Sequence, residues 1–463
     1  MLAPASRIAD LARDLADVPL VTEPRRVRKK SRDFFWYSPV LNEQLKALSA
    51  DILVEARDEA DVIKTAAACA RHRVPLTVRG GGTGNYGQCV PLEGGVILDV
   101  SSLDRVIWHR RDLVRAEAGI RLNKLDDVLR PAGCEIRMHP STKRTSSLGG
   151  FIAGGSGGIG SVTYGGLRDP GNVVAARVVT MEETPRVIEL RGDEAQKVNH
   201  AYGTTGIITA LEMPLAPAWP WIDVLIAFGD FTEAMRCGLA IALADGIAKK
   251  LITPIAWPIP QWFSQIKPAC PPGKSILICM IAEGSLDPFK DIVRRFGGAI
   301  TFEAPTAEAP GQVPLYEYTW NHTTLQILKT DRSFTYLQCL YPDDRLIESL
   351  TEMTALFGDE VIPHCEFIRF GGRMTCTGVP IVRYTTAERL NEIIAIHEAH
   401  GVFIANPHVV TIEDGSAHKR ANADQLGFKR EVDPMGLLNP GKMRSFVAPL
   451  RVLPLPPRDE SAS

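Results

Sequence analysis

The sequence feature that most constrains this chain is the crowding of glycine into two clusters. Eighteen of its 39 glycines fall between Gly80 and Gly166. The first cluster reads RGGGTGN over residues 79–85, and the second reads LGGFIAGGSGGIGS over residues 148–161. Both are embedded in apolar, strand-like sequence, and residues without a Cβ let many backbone N–H groups converge on a pyrophosphate. The clusters therefore predict a site for a large, dinucleotide-like cofactor.

The length, charge and cysteine usage of the chain limit its class. A chain of 463 residues is too long for one hydrophobic core, so two or three domains are expected. With 23% charged residues and a formal net charge of -2, it has no sign of a nucleic-acid or membrane-surface partner. No apolar segment reaches the length of a membrane span, and the nine cysteines are scattered singly. These observations favour a cytoplasmic protein with reduced thiols.

The hydrophobic pattern predicts an α+β fold. Residues 52–79 have the pattern of a strand, a helix and a strand, and three short runs over residues 94–119 predict a meander of strands. A helix over residues 122–129 and further strands follow, up to residue 217. From Trp221 to about Gly415, strands alternate with amphipathic helices, which favours a mainly antiparallel sheet covered by helices on one side.

The glycine clusters belong to a series of motifs that resembles a known family. VPLTVRGGGTGNYG, VRAEAGIRLNKLDDVLRPAG, HPSTKRTSSLGGFIAGGSGGIGS, AYGTTGIITALEMPL and DPMGLLNPGKM occur in that order. They are similar to the PCMH-type FAD-binding domain of the vanillyl-alcohol oxidase / p-cresol methylhydroxylase superfamily, a group that includes the flavin-binding component of glycolate oxidase. The resemblance implies a two-part FAD-binding domain and a substrate cap. The predicted regions are an N-terminal arm (1–37), the FAD-binding domain (38–217), the cap (218–420) and a C-terminal segment that returns to the FAD domain and ends in a disordered tail (421–463).

The resemblance also implies which residues hold the cofactor. The first cluster is the phosphate loop, the second lies against the flavin ring and its ribityl chain, and Ile208 meets the adenine end. His139 supports the cofactor loop, and Lys442 in NPGK touches the flavin end. The cofactor-binding residues predicted in this way are Arg79, Gly80, Gly81, Gly82, Thr83, Gly84, Asn85, His139, Pro140, Ser147, Leu148, Gly149, Gly150, Gly154, Ser156, Gly157, Gly158, Gly206, Ile208, Asn439 and Lys442.

Two departures from the family pattern concern covalent attachment of the flavin. Members that attach FAD through the first loop carry a histidine after the glycines, where this chain has Thr83. Members with a second, cysteine bond carry that cysteine in the second cluster, which contains none here. FAD is therefore expected to bind without a covalent link.

The resemblance implies oxidation of a CH–OH group of a small alcohol or hydroxy acid, with hydride transfer to flavin N5. A base near neutral pKa is needed, and histidine suits that task. His408 in FIANPHVV is the first candidate, with a structural strand histidine as the alternative. His322 lies in YEYTWNHTTLQ, a string that suits either a pocket wall or an irregular connection filling the seam between domains. Arg369 or Arg373 could clamp a carboxylate or form a surface salt bridge.

Other parts of the function stay open at this level. No histidine-rich motif of the HxGDGNxH kind occurs in the cap region, so no metal is predicted. The partner is a small-molecule substrate, and the electron acceptor could be oxygen, a quinone, a cytochrome or a partner subunit; a homo-oligomer is compatible with the sequence. Two alternatives are a non-catalytic or electron-transferring flavoprotein subunit of a complex, and a flavin-dependent transferase resembling alkylglycerone-phosphate synthase.

Overall fold

The first half of the molecule is built from two sheets and the helices that cover them. The structure is a computed structural model that describes residues 5–155, 157–306, 313–413, 415 and 423–446. Up to residue 217 its helices and strands are α1 (Ala5–Asp14), β1 (Leu20–Val21), α2 (Pro24–Lys30), α3 (Pro39–Leu45), β2 (Ile52–Glu55), α4 (Glu59–His72), β3 (Leu76–Arg79), β4 (Val96–Asp99), β5 (Val106–His109), β6 (Leu113–Glu117), α5 (Leu122–Leu129), β7 (Cys134–Ile136), α6 (Leu148–Gly154), α7 (Ser161–Tyr164), β8 (Ala175–Val179), β9 (Val187–Arg191) and β10 (Ile207–Pro217).

The first sheet brings the first glycine cluster to its carboxyl edge. Its strand order is β1-β2-β4-β3, with β2, β4 and β3 parallel. The connecting helix α4 begins where the Asp58 side chain accepts the N–H of Asp61, and it ends at Arg73, whose φ of 52° is left-handed. The predicted strand, helix and strand over residues 52–79 are thus confirmed. Strand β3 ends at Arg79, so the main chain enters the glycine cluster at the open end of a parallel sheet.

The second sheet is antiparallel and corrects one expectation. It has the order β5-β6-β10-β8-β9, with β7 also paired to β10. The three runs over residues 94–119 are strands as predicted, but they do not form one meander. β4 lies in the first sheet, and only β5 and β6 pair with each other. β4 is buried on both faces between its parallel neighbours β2 and β3, and a short apolar run does not reveal which strands will be its partners.

The second half of the chain folds as helices over antiparallel strands. Its elements are β11 (Trp221–Phe228), α8 (Phe231–Leu243), β12 (Lys249–Ile255), β13 (Ser275–Ala282), α9 (Leu286–Arg295), β14 (Ala299–Pro305), α10 (Asn321–Leu328), β15 (Phe334–Tyr336), β16 (Cys339–Leu340), α11 (Leu346–Phe357), β17 (Val361–Ile362), β18 (Cys365–Phe370), β19 (Arg373–Gly378), β20 (Ile381–Arg383), α12 (Ala387–Ala399), β21 (Phe403–Ile404) and α13 (Ala423–Val432). The α+β class is confirmed. Three sheets share these strands, where one was expected: β12-β13-β11-β14, β15-β20-β17 and β18-β19-β16-β21.

One hydrophobic core joins the N-terminal arm, the glycine-rich half and the cap. It contains Phe35 and Tyr37 from the arm, Tyr202 from the glycine-rich half, and Tyr316 and Tyr336 from the cap. Because these side chains are buried together, the two halves of the chain enclose the space between them. Within the described part of the chain, no helix has both the length and the apolar character needed to cross a bilayer.

Candidate functional site: a cavity between the glycine clusters and the cap

A cavity lies between the two glycine clusters and the cap, with about 1590 Å³ of atom-free space, part of it open to solvent. We call its lining residues from 80–85 and 147–157 the glycine wall. The cavity continues past residues 200–208 at one side and meets the cap at the other. Of the residues predicted to hold the cofactor, those that line it are Gly80, Gly81, Gly82, Thr83, Gly84, Asn85, Pro140, Ser147, Gly149, Gly150, Gly154, Gly157, Gly206 and Ile208.

The two glycine clusters are fastened to each other by short contacts. Gly81 N–H donates to Ser147 Oγ over 3.2 Å, and the hydroxyls of Thr83 and Ser146 lie 2.7 Å apart. A Cβ on Gly81 would lie 2.3 Å from the carbonyl oxygen of Thr145, well inside any tolerated contact. Glycine is therefore required at position 81 because the main chains of the two clusters touch there.

The backbone of the first cluster has the donors that a pyrophosphate needs. The N–H groups of Gly82, Thr83, Gly84 and Asn85 donate to no protein acceptor within the described residues, although all four residues line the cavity. Unpaired main-chain donors are costly unless a ligand or water accepts them. Phosphate oxygens are acceptors that such a row of N–H groups suits. The residues present thus fit the diphosphate of FAD.

Several predicted cofactor residues instead support the wall from behind. Arg79 is not a lining residue: its guanidinium donates to the carbonyl oxygens of Lys30 (2.8 Å) and Arg32 (2.5 Å), so it ties the N-terminal arm to the loop. The Asn439 amide donates to the carbonyls of Gln88 (2.8 Å) and Tyr202 (2.6 Å), both of which line the cavity. Asn439 thus acts on the main chain of lining residues, and Arg79 acts on the arm beside them.

The remaining predicted cofactor residues lie elsewhere around the second cluster. Leu148 is buried in an apolar core, and Gly158 packs against the carbonyl of His139, which a Cβ would approach to 2.2 Å. His139 is buried beside Tyr316, and burial holds the pKa of its ring well below the usual value. Ser156 lies outside the described residues. His139 is not among the lining residues, and its role in supporting the cofactor loop stays a prediction.

A buried acid and a buried amine lie beneath the first glycine cluster. Asp33 lines the cavity, and burial raises the pKa of its carboxyl to about 6, opposed by the positive charge of Lys442. Burial lowers the pKa of Lys442 to about 7, opposed by Asp33. Lys442 Nζ donates to the carbonyl of Gly87 over 2.6 Å and does not line the cavity. In this position Lys442 supports the loop, and its contact with the flavin end stays a prediction.

The cap contributes a polar and aromatic surface, which we call the cap wall: Trp320, Asn321, His322, Leu325 and Gln338. Trp320 directly precedes α10, and Asn321, His322 and Leu325 lie in that helix. His322 Nδ1 lies 3.0 Å from Glu317 Oε2, an ion-pair contact whose angles do not make a hydrogen bond, and no hydrogen bond to Nε2 occurs within the described residues. A carboxylate at this distance stabilises the ring when it gains a proton, and Nε2 is available to a substrate. Of the three predicted catalytic residues, His322 is the one that lines the cavity.

His408 occupies a structural position. Its Nδ1 lies 2.7 Å from Ser38 Oγ and its Nε2 lies 2.9 Å from the carbonyl of Tyr336, and it is not a lining residue. Burial lowers the pKa of its ring to about 4. Both nitrogens are engaged and the ring is a poor base at neutral pH, so the alternative of a structural histidine agrees better with this placement.

Arg369 also lies away from the cavity. Its guanidinium is 3.6 Å from the carboxylate of Asp245, whose side chain is 92% exposed. Arg373 pairs with Asp343 over 3.2 Å at the surface. The alternative of a surface salt bridge describes both arginines.

Groups of three or more histidine, cysteine, aspartate or glutamate residues suited to a metal ion are absent from the part of the chain that the structure describes.

Sequence reasoning missed several lining residues. Tyr86, Gln88, His200 and Tyr202 line the cavity, and His200 and Tyr202 have positive φ values of 52° and 53°. Tyr86 and Gln88 directly follow the first cluster, so proximity to it could have indicated them. Gln338 and Asp33 are distant from both clusters in sequence, and no local pattern marks them.

Comparisons with known proteins agree with this site. Residues 50–189 match the FAD binding domain family. The chain is 28% identical over 180 residues to D-lactate dehydrogenase of Anaerostipes hadrus, covering 36% of this chain and 37% of that protein. It is 29% identical over 195 residues to glycolate oxidase subunit GlcD of Escherichia coli K12, covering 39% and 38%. The matched segment spans about two fifths of the length of these curated relatives. Residues 50–189 are a PCMH-type FAD-binding domain, and FAD is its cofactor.

The fold also resembles a solved structure along nearly the whole chain. Alkyldihydroxyacetonephosphate synthase superposes with a TM-score of 0.69 at 16% identity, covering 94% of this chain and 85% of that one. At this identity the likeness concerns the fold alone. It extends the similarity from the FAD-binding domain to the cap.

Proposed function

We propose that this chain is an FAD-dependent oxidoreductase that oxidises a CH–OH group of a small alcohol or hydroxy acid. The observation that supports this best is a single cavity lined both by unpaired N–H donors of the glycine wall and by a histidine backed by a carboxylate. The first feature suits the cofactor. The second suits removal of a hydroxyl proton from a donor held beside it.

The residues of this chain have separate tasks in such a reaction. Bound FAD supplies the acceptor for the hydride of the donor carbon. His322 Nε2 accepts the hydroxyl proton as the carbonyl product forms, while the Glu317 carboxylate, 3.0 Å from Nδ1, stabilises the positive charge that the ring gains. The buried aromatic residues Tyr37 and Tyr202 on the cavity lining exclude water from the reacting groups.

The substrate class is proposed from the relatives. Those matching the FAD-binding domain include dehydrogenases named for D-lactate and D-2-hydroxyglutarate and a subunit named for glycolate oxidase. All three names refer to 2-hydroxy acids. A panel of glycolate, D-lactate and D-2-hydroxyglutarate is therefore the first to test, followed by neutral alcohols.

The test is anaerobic bleaching of the bound flavin. Purified protein loaded with FAD is mixed with each donor, and absorbance near the flavin band is followed. We expect at least one hydroxy acid or alcohol to bleach it, and reoxidation by oxygen, a quinone or a cytochrome then identifies the acceptor. If the protein is yellow and only a partner protein reduces it, the electron-transferring subunit replaces our proposal.

A second candidate function rests on the fold comparison. Similarity to alkyldihydroxyacetonephosphate synthase covers 94% of the chain, cap included, so a flavin-dependent transferase without net oxidation is the alternative. It is distinguished by product analysis. Formation of an alkyl dihydroxyacetone phosphate without lasting bleaching of the flavin would support the transferase and contradict the oxidoreductase.

A further inference from the structure

Trp320 in the cap wall has a strained backbone. Its φ is 51° and its ψ is -142°, in a region that residues with a Cβ rarely adopt. A bulky residue held there costs on the order of 1–3 kcal/mol and persists only where the surroundings impose it. Such residues concentrate at functional sites. Trp320 lines the cavity, so its strain calls for a physical cause.

The cause is a buried carboxylate in the cap. Glu366 on β18 is 1% exposed, and its Oε1 accepts the backbone N–H of Trp320 over 2.6 Å. His364 Nε2 lies 2.9 Å from the same oxygen, and Thr253 Oγ1 donates to Oε2 over 2.5 Å. A carboxylate bound by three donors inside the protein forms strong, charge-assisted hydrogen bonds. These bonds fix the Trp320 peptide in its strained conformation.

The strained turn directs the indole toward the glycine wall. The indole Cη2 lies 3.7 Å from the position that a Cβ on Gly157 would occupy. The indole Nε1 is buried and without a hydrogen-bond partner among the described residues. Trp320 also precedes α10 directly, so the same turn places Asn321 and His322 on the cavity lining.

We propose that Trp320 is a flavin-contacting residue supplied by the cap and that Glu366 is its positioning residue. This inference rests on the assignment of the second glycine cluster to the flavin. The indole lies against the same part of the cavity as Gly157, where it covers the flavin from the cap side. Its free N–H is available to an acceptor oxygen of the flavin. The buried His364–Glu366 pair acts on the flavin only through Trp320.

The first experiment uses FAD as the probe. An indole in contact with the flavin ring quenches flavin emission and perturbs its visible circular dichroism. We expect Trp320→Phe to raise the emission of bound FAD and shift its visible dichroism. Trp320→Gly, which loses the ring contact, should weaken FAD binding about 2- to 10-fold. Trp219→Phe is the matched control, because Trp219 is exposed and outside the cavity lining.

The second experiment tests the positioning role of Glu366. Glu366→Ala should reproduce the dichroism change of Trp320→Gly, whereas Glu366→Gln, which keeps an acceptor oxygen, should restore most of the wild-type spectrum. In the Trp320→Gly background, Glu366→Ala should add no spectral change, because glycine adopts the positive φ without help. If Glu366 served stability alone, Glu366→Ala would lower the melting temperature and leave the spectrum of bound FAD unchanged.

The outcomes separate this inference from the proposed function. If wild-type protein binds no FAD, the assignment of the cavity fails as a whole. If wild type and Trp320→Phe are both yellow with identical emission and dichroism, the contact role of Trp320 is wrong and the oxidoreductase proposal stands. If Glu366→Ala does not fold, Glu366→Gln decides the positioning role: a nearly wild-type spectrum supports it, and a clear spectral change of the same size in the wild-type and Trp320→Gly backgrounds would overturn it.

Discussion

The two sides of the cavity are built from different parts of the polypeptide. The glycine wall presents main-chain N–H groups of the first cluster, which is fastened to the second. The cap wall presents side chains: an indole, an amide and an imidazole, held by partners such as Glu317 and Glu366. Recognition by main chain requires a particular residue type, glycine, at fixed places. Recognition by side chains requires distant segments of the chain to meet, and many residue types can line such a surface.

This difference explains why the sequence identifies the cofactor but not the substrate. Every FAD carries the same pyrophosphate, so one pattern of residues can serve it whatever the substrate. Substrate pockets need different residues for different substrates. The match to the FAD binding domain family accordingly ends at residue 189, before the cap begins.

The largest expected effect is on the glycine wall. Gly81→Ala places a methyl group 2.3 Å from the carbonyl oxygen of Thr145, which forces the two clusters apart and displaces the N–H donors. We expect FAD binding at least about 100-fold weaker, equivalent to ~2.7 kcal/mol. Titration of the apoprotein with FAD measures this. Gly246→Ala, where a Cβ meets nothing within 4 Å, is the matched control. Normal FAD binding by Gly81→Ala would show that the contact between the two clusters does not require glycine at that position.

The next effect concerns the cap wall. His322→Asn should slow flavin reduction by the best donor of the panel about 100-fold, because the proton acceptor is lost. Glu317→Gln should slow it less, since the imidazole stays in place. Both variants should bind FAD normally, which separates the cap wall from the glycine wall. Stopped-flow absorbance gives the reduction rates, and an unchanged rate in His322→Asn would exclude it as the base.

The third effect is on stability and concerns His408. Its folded-state pKa of about 4 lies below the ordinary 6.5, so between these values the unfolded chain binds a proton that the folded chain does not. Stability should therefore be complete above pH 6.5 and fall as the pH drops to 4, by up to about 3 kcal/mol. Urea unfolding across this range should show a shallower pH dependence for His408→Gln. His109→Gln, at an exposed position, serves as the control.

The smallest effect is expected at Arg369. Among the described residues, the ion-pair partner of this arginine is an exposed aspartate at the surface, so Arg369→Ala should change the free energy of unfolding by no more than about 0.5 kcal/mol. Flavin reduction should stay at the wild-type rate. A large rise in KM for an acidic donor in this variant would restore Arg369 as a carboxylate clamp. The substrate-binding surface of the cap would then include Arg369 as well as the cap wall.

Local patterns predicted most elements but not their arrangement. The helix α5 and the strands around it lie where hydrophobic periodicity placed them. The string that contains Trp320 and His322 lacks such periodicity, yet residues 321–328 are helical. Its hydrophobic residues face two environments, the core on one side and the cavity on the other, so no single apolar stripe marks it. The assignment of β4 to one meander with β5 and β6 failed for a related reason, because strand partners are chosen by the whole fold.

The sequence by itself predicted a site where main chain approaches a dinucleotide-like cofactor, because only glycine allows such close backbone approach and its positions are visible in one dimension. The resemblance of its motifs to the PCMH-type domain implied that this cofactor is FAD. It also determined an α+β fold with a cap. Only the tertiary structure decided which side chains of the cap reach the cavity: His322 with Glu317, and Trp320 held by Glu366, while His408 turns to Ser38 and Tyr336. Those contacts join residues up to 370 positions apart, and such distances leave no trace in local sequence.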